Sequence, residues 1–435
     1  MNMRRIYTLL AFIAVPVAFA QVLWRSLRNP AYRAGWGERW GGGARVPGRG
    51  CIWVHAVSMG EVNAATPLVR ALRSRYADWP LVLTTATPTG MSRARELFAA
   101  AVDVRYAPYD IPPAVRGFFD RVHPRLAIFM ETELWPNLHR ECALREVPRI
   151  IASARISSRS WPRYRHLRAL TRPMLAHGIV IAAQSEMDAR RFHLLGAPDA
   201  EVLVTGNLKW DVPADPAILS RAAELRSGIL AGRATWAAGS THAGEEELLL
   251  DAHAQVCARV PDALLVLAPR HPGRFEAVAD QLNRRAVSFV RRSGGHSPAS
   301  GTSVLLLDTV GELNVFYAAS GAAFVGGSLV PVGGHNLIEP AALGVPVVTG
   351  SHHGNNPEVA RSMFDSGAAV RVENANQLAS QVSAWLLDPA TAHQAGSAGS
   401  AMVRANRGAL QRLLELVAAR LAGNGPQADR SAGRS

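Results

Sequence analysis

Residues 52–61 read Ile-Trp-Val-His-Ala-Val-Ser-Met-Gly-Glu; the amphipathic stretch Ala64–Tyr76 and a second apolar run, Leu81–Thr85, come next. A short run rich in Val and Ile, a helix-length segment and another such run predict a βαβ unit and hence a parallel sheet. Outward from there the rhythm repeats. Strands are predicted at Ile52–Val57, Leu81–Thr85, Val102–Tyr106, Leu126–Met130, Arg149–Ala152, Ile179–Ala183 and Val202–Thr205, with a further helix at Met91–Ala100. Asp211–Pro216, with two prolines, breaks the pattern. It restarts with Thr235–Ala238, Ala263–Ala268, Ser288–Val290, Val304–Leu307, Ala322–Val325 and Val345–Thr349, and a last helix is expected near Gly408–Leu421. The expected fold is α/β, with two Rossmann-like doubly wound domains facing a central cleft. Residues 26–210 form the first domain, 211–228 a linker, 229–422 the second domain, and the apolar-poor residues 423–435 a disordered tail. Ligands of open α/β sheets bind outside the carboxyl ends of the strands, so chemistry is sought in the loops there.

The chain has 435 residues, too many for one ordinary domain, and is 48% hydrophobic with a net charge of +13. Lys209 is its only lysine. The excess of arginine points to a polyanionic partner (nucleic acid, anionic lipid or a phosphorylated substrate) or to a solvated basic surface. Three scattered cysteines, Cys51, Cys142 and Cys257, with no CxxC, fit neither a disulfide framework nor a zinc site. Ile6–Trp24 carries no charge and has Arg4 and Arg5 before it and Arg25, Arg28 and Arg33 after it. That is enough for one membrane span and long for a signal h-region, although Ala18-Phe-Ala20 offers a cleavage site. Residues 1–25 are therefore read as a membrane anchor, with a buried core helix as the alternative. Trp36 and Trp40 sit either at the membrane interface or in the core.

Several loops after strands carry candidate chemistry. Glu61 opens a helix after Ser58-Met-Gly60; it acts there either as a general base or as a charge compensating the helix dipole, and the spacing does not choose. Glu131 and Glu133, in Met130-Glu-Thr-Glu133-Leu-Trp-Pro-Asn137, are two carboxylates that can face one site, bind a metal, or merely shape a helix start. Lys209, in Thr205-Gly-Asn-Leu-Lys-Trp210, suits a phosphate or carboxylate, or is an ordinary surface lysine. In the second half, Pro269-Arg270 can grip phosphate, and Val310-Gly311-Glu312 allows close backbone approach at a helix start. A glycine-rich stretch, Phe324-Val-Gly-Gly327-Ser328 to Gly333-Gly-His-Asn336-Leu337-Ile338-Glu339, suits phosphate and ribose. No Walker A lysine or GxGxxG is present.

Read in order, Val57-Ser-Met-Gly-Glu61, Met130-Glu-Thr-Glu-Leu-Trp-Pro-Asn137, Ser153-Ala-Arg-Ile-Ser157, Gly206-Asn-Leu-Lys209, Ala268-Pro-Arg-His-Pro272 and Gly333-Gly-His-Asn-Leu-Ile-Glu-Pro340 resemble the motifs of the Kdo (3-deoxy-D-manno-octulosonic acid) transferases of lipopolysaccharide synthesis. Ser153 and Ile156 stand where that family often has Asn and Leu, and Asn207 where it often has Ser. The resemblance covers nearly the whole chain. It implies a GT-B fold, CMP-Kdo as donor, and the lipid A precursor (lipid IVA) as acceptor. The reaction it implies is inverting, needs no metal or other cofactor, and runs at the cytoplasmic face of the inner membrane, with no nucleic-acid partner. By position it makes Glu61 the proton acceptor and gives Glu131 and Lys209 roles in stabilising the transition state. It sets CMP against Pro269 and Arg270, against Val310, Gly311 and Glu312, and against Asn336, Leu337, Ile338 and Glu339. The competing expectations are a GT-B transferase using a UDP-sugar, a nucleotide-sugar epimerase, and a membrane-bound binding protein without turnover.

Overall fold

The computed structural model describes residues 3–28, 30–48, 50–98, 101–211 and 216–422. The expected tail at 423–435 and residues 212–215 of the expected linker lie outside these. The chain forms two compact units, one of residues up to Asp211 together with those from Arg407 onward, the other of Val212–Asn406.

The first unit is built on a seven-stranded parallel sheet. Its strands are β1 (Cys51–His55), β2 (Leu81–Thr85), β3 (Asp103–Tyr106), β4 (Pro124–Met130), β5 (Arg149–Ala154), β6 (Ile179–Ala183) and β7 (Val202–Val204), in the order β3-β2-β1-β4-β5-β6-β7. Alternate side chains of one strand serve opposite faces. Ile52 and Val54 pack with Leu68, Val69, Leu72 and Ile128 on one side, while Trp53 packs with Phe118, Phe119 and Phe129 on the other. Both layers are buried, so the strands read as continuous apolar runs instead of alternating ones.

The second unit repeats the plan. Its strands are β8 (Thr235–Thr241), β9 (Leu264–Pro269), β10 (Phe289–Arg291), β11 (Val304–Leu306), β12 (Ala322–Val325), β13 (Val347–Thr349) and β14 (Ala369–Arg371), ordered β10-β11-β9-β8-β12-β13-β14. The sequence reading lacked β14, whose three residues Ala-Val-Arg carry almost no apolar pattern. In each sheet the strand order reverses at a central pair, β1 with β4 and β8 with β12, which is where a doubly wound sheet opens a crevice for ligands.

Two boundaries differ from expectation. The last helix, Ala409–Ala422, does not close the second unit; Ala409, Leu413, Leu414 and Val417 complete the core of the first. Asp211 fixes its start by accepting hydrogen bonds from Gly408 N and Leu410 N, both at 2.7 Å. Arg412 donates to the Thr205 carbonyl at 2.7 and 2.9 Å. Nor is 211–228 a linker throughout. Pro216–Ser227 is a helix of the second unit, held where Arg226 donates to the carbonyls of Ala318 and Ala319.

The N-terminal helix runs from Met3 to Arg28 and is long and apolar enough to cross a membrane. Little of it is buried, which sets aside the core-helix alternative. Phe19 meets Trp36 and Trp40 edge-on at 5.4 and 6.0 Å between ring centres, so both tryptophans pack against this helix.

Candidate active site

In the first unit, β1 runs through the short loop ending at Ser58 into the helix Met59–Arg75, whose first turn holds Gly60 and Glu61. Ser58 is extended (φ −118°) and caps that helix. Its hydroxyl accepts from Glu61 N at 3.3 Å, and its own N–H donates to Glu61 Oε2 at 3.0 Å. This reciprocal capping box satisfies two otherwise orphaned helix donors. Glu61 is thus a genuine cap, but capping does not account for its surroundings. Burial, then the neighbouring charge of Glu133 and that of Glu131, push its carboxyl up to about 8, against the pull of the Ser58 and Val57 backbone. A half-buried carboxyl among like charges beside the sheet's switch point has the character of a working acid–base group.

The two carboxylates after β4 take different partners. Glu131 has φ 54°, in the left-handed region that costs a non-glycine residue about 1 kcal/mol or more. The chain turns there, and Glu131 Oε2 accepts from Arg155 Nε at 3.0 Å. Glu133 Oε2 accepts from Trp135 Nε1 at 2.6 Å, and its charge is the strongest acidic influence on Glu61. Burial raises the Glu133 carboxyl as well. Two close carboxyls repel when both are ionised, which favours keeping one of them protonated.

A neutral, aromatic layer supports them. Trp53 Nε1 donates to Thr84 Oγ1 at 2.8 Å, and the same hydroxyl hydrogen-bonds to His55 Nδ1, also at 2.8 Å. His139 Nε2 donates to the Glu133 carbonyl at 2.9 Å. Both imidazoles are buried and held near pKa 3, by burial above all, so neither brings positive charge beneath the carboxyls.

Lys209 sits on the short turn Leu208–Trp210, which packs against the helix headed by Glu61. Asn207 builds that turn: Oδ1 accepts from Lys209 N and Nδ2 donates to Gln184 Oε1, each at 3.0 Å. Ser153, at φ 48°, accepts from Leu208 N at 3.2 Å. The end of β5 therefore holds Glu131 through Arg155 and the Lys209 turn through Ser153. Ser153 and Asn207, two of the positions where the chain departs from the common motifs, are both engaged in this support.

In the second unit, β9 ends at buried Pro269, and the Arg270 side chain is exposed with its N–H bound to the Thr241 carbonyl at 3.0 Å. Burial raises the Glu339 carboxyl, while Asn336 and then Arg270 draw it back down, so Arg270 and Glu339 are neighbours. Asn336 donates to Glu339 Oε1 and accepts from Ile338 N, both at 3.1 Å. Leu337 and Ile338 are buried and anchor the turn. Beside it His335 stacks on His242 at 5.0 Å, and His271 meets His242 edge-on at 5.5 Å. His335 is lowered to about 4 by burial first and by Arg270 next. Glu312 lies apart from this cluster: Arg292 pairs with it at 2.9 Å and, ahead of burial, holds its carboxyl down. Val310 is 81% exposed and Gly311 takes φ 93°, leaving an open turn at the head of the helix Leu313–Ala319.

The glycine-rich stretch differs from expectation. Gly327 N, Ser328 N and Leu329 N donate to the buried carboxylate of Glu245 at 2.7, 2.9 and 2.9 Å, so these amides are not free for a phosphate. The sequence reading passed over Glu245. Its signal was a run of three glutamates, Glu245–Glu247, directly after β8. Among the described residues no group of three or more His, Cys, Asp or Glu side chains is arranged to hold a metal ion.

Comparison with known proteins agrees with both halves. Residues 34–212 match the family model described as 3-deoxy-D-manno-octulosonic-acid transferase (kdotransferase), and residues 302–402 match that of glycosyl transferases group 1. The 3-deoxy-D-manno-octulosonic acid transferase of Haemophilus influenzae is 41% identical over 417 residues, covering 95% of this chain and 98% of the relative. The C-terminal CMP-Kdo binding domain of WaaA from Acinetobacter baumannii is 34% identical, covering 42% of this chain and 97% of that domain, with a TM-score of 0.41. The UDP-GlcNAc 2-epimerase of Neisseria meningitidis, at 14% identity, matches with a TM-score of 0.51 over 86% of this chain and 99% of its own; at that identity it speaks to the two-domain α/β fold of GT-B type alone. The chain belongs to the 3-deoxy-D-manno-octulosonic acid transferases, and is a glycosyltransferase.

Proposed function

We propose that the protein transfers Kdo from CMP-Kdo to the lipid A precursor, lipid IVA, with inversion and without a metal. The observation that carries this is the Glu61 carboxyl, fixed at a helix start by Ser58, where burial and acidic neighbours push it up to about 8. A sugar hydroxyl is a weak nucleophile and gains roughly 10²–10⁴-fold from a positioned base whose pKa lies near the working pH. Glu61 takes the acceptor's hydroxyl proton as that oxygen bonds to the anomeric carbon of the donor. The bond from that carbon to the phosphate breaks on the opposite face, and CMP departs with the electron pair. The anomeric carbon gains oxocarbenium character on the way, which nearby carboxylate from Glu131 stabilises. Lys209 meets the donor's carboxylate or its phosphate. Arg270 offsets the charge on the leaving phosphate, and Pro269, the turn Val310–Glu312 and residues Asn336–Glu339 hold the nucleotide. The N-terminal helix keeps the enzyme at the inner membrane, catalytic units on the cytoplasmic side, where its acceptor resides.

Incubating the enzyme with a CMP-Kdo-generating system and lipid IVA, then weighing the product, tests this reading. Added mass equal to one or more Kdo units is expected. An unchanged acceptor mass, or transfer inhibited by UDP and not by CMP, would overturn it.

A further inference from the structure

Resting on the membrane reading above, we infer that the helix Met3–Arg28 lies along the membrane surface and does not pass through the bilayer, with the arginines of residues 159–172 set against anionic lipid headgroups. One face of the helix belongs to the protein. The Tyr7 hydroxyl donates to Asp110 Oδ2 at 2.9 Å, and the Thr8 hydroxyl to Asn137 Oδ1 at 3.0 Å. Ala11 and Val15 pack on Ile111 and Ala114, Phe19 on Trp36 and Trp40, and Ser26 accepts at its carbonyl from Arg33 at 3.1 Å. Positions 7, 8, 11, 15, 19 and 26 form a single helical stripe. The other stripe, with Leu9, Ile13, Val17, Trp24 and Leu27, is exposed and apolar.

From Tyr7 to Ser26 the helix rises about 29 Å, close to the full thickness of the hydrocarbon core. Were it to span, the loops docked along that length would lie within the core too. Irregular backbone facing lipid there leaves amide groups without partners. A helix with one face fastened to a folded domain and the other apolar fits the interface plane instead.

The neighbouring helices supply the matching charge. No acidic residue occurs between Glu146 and Glu186. Arg159, Arg163, Arg165, Arg168 and Arg172 are exposed within that stretch, and none is in an ion pair among the described residues. The helix Arg168–Leu175 packs directly against the N-terminal helix. Trp161 and Tyr164 are interleaved with the arginines, a composition suited to the headgroup level. A soluble acidic protein would satisfy the charges but would leave the apolar stripe unexplained.

The test uses the full-length chain in vesicles of phosphatidylcholine, with and without phosphatidylglycerol. A fluorophore is placed on Leu10→Cys, Val17→Cys or Leu27→Cys in a Cys257→Ser background, and its depth is read with lipid-borne quenchers. All three labels are expected at one shallow depth, about 5–10 Å into the boundary. A Val17 label near the midplane, about 15 Å deep, with the other two nearer opposite surfaces, would overturn the in-plane orientation while leaving the membrane reading standing. Failure of the intact chain to partition into either vesicle would remove both. The combined R163S, R165S, R168S and R172S variant, checked for an unchanged melting temperature, is expected to lose at least about tenfold in affinity for the anionic vesicles only. Equal affinity for the anionic vesicles would overturn the headgroup assignment.

Discussion

The charge of Glu133 bears more strongly on the Glu61 carboxyl than that of Glu131, which is drawn aside to Arg155 at 3.0 Å. A carboxyl held protonated by burial and acidic neighbours can accept a proton only after losing its own. Transfer is therefore expected to rise with pH through an acid limb near 8, since burial and the two acidic neighbours lift Glu61 to about 8. In Glu133→Gln the strongest of those neighbouring charges is gone, and the limb of kcat/KM should move to lower pH. A limb that stays in place would break the link between the two residues.

Glu61→Gln keeps an oxygen for the Ser58 N–H but cannot accept a proton. Its kcat is expected to fall roughly 10²–10⁴-fold with CMP affinity unchanged, measured by single-turnover transfer and by calorimetry.

The same substitution has a consequence for stability. Folding raises this carboxyl from 4.5 to about 8, so between those values the native state holds a proton that the unfolded chain releases. Stability then declines as pH rises across that window. Urea midpoints of Glu61→Gln and the parent should agree near pH 4.5, with the variant gaining ground by pH 8; a constant difference would contradict this.

Arg270→Ala removes the exposed cation at the end of β9. Loss of a charge-assisted bond to phosphate is worth about 1.5–3 kcal/mol, so CMP should bind roughly 10–100-fold more weakly. Cytidine, without the phosphate, should bind the variant and the parent alike.

Glu245 anchors three successive amides of the glycine-rich turn. Glu245→Ala leaves them unsatisfied in a fully buried place, with an expected loss of about 3–5 kcal/mol in the second unit, readable as a lowered denaturant midpoint. A change under 1 kcal/mol would mean that water replaces the carboxylate without cost.

Much of this arrangement was legible beforehand because it is local. Runs such as Leu81–Thr85 and Ile179–Ala183 became strands with the expected limits, since strands covered on both faces are spelled in contiguous Val, Ile and Leu. The Ser58–Glu61 loop was visible through its strand-to-helix spacing. What escaped is what distant parts of the chain decide. Glu131 and Glu133, two apart, would share a face only if the strand went on, and the positive φ of Glu131 ends it. That Glu245 would occupy the amides of Gly327 and Ser328 depends on a contact across more than eighty residues. The stripe of Leu413, Leu414 and Val417 announces a buried helix but carries no address.

That address governs how the chain comes off the ribosome. Val212–Asn406 is an insertion in a unit whose final helix is made last. The seven strands of the first sheet emerge early, yet the apolar surface that Ala409–Ala422 covers stays open until the whole inserted unit has been translated. The first unit stays incompletely sealed while the inserted unit is synthesised, so it cannot be completed before that unit as an N-terminal domain usually is.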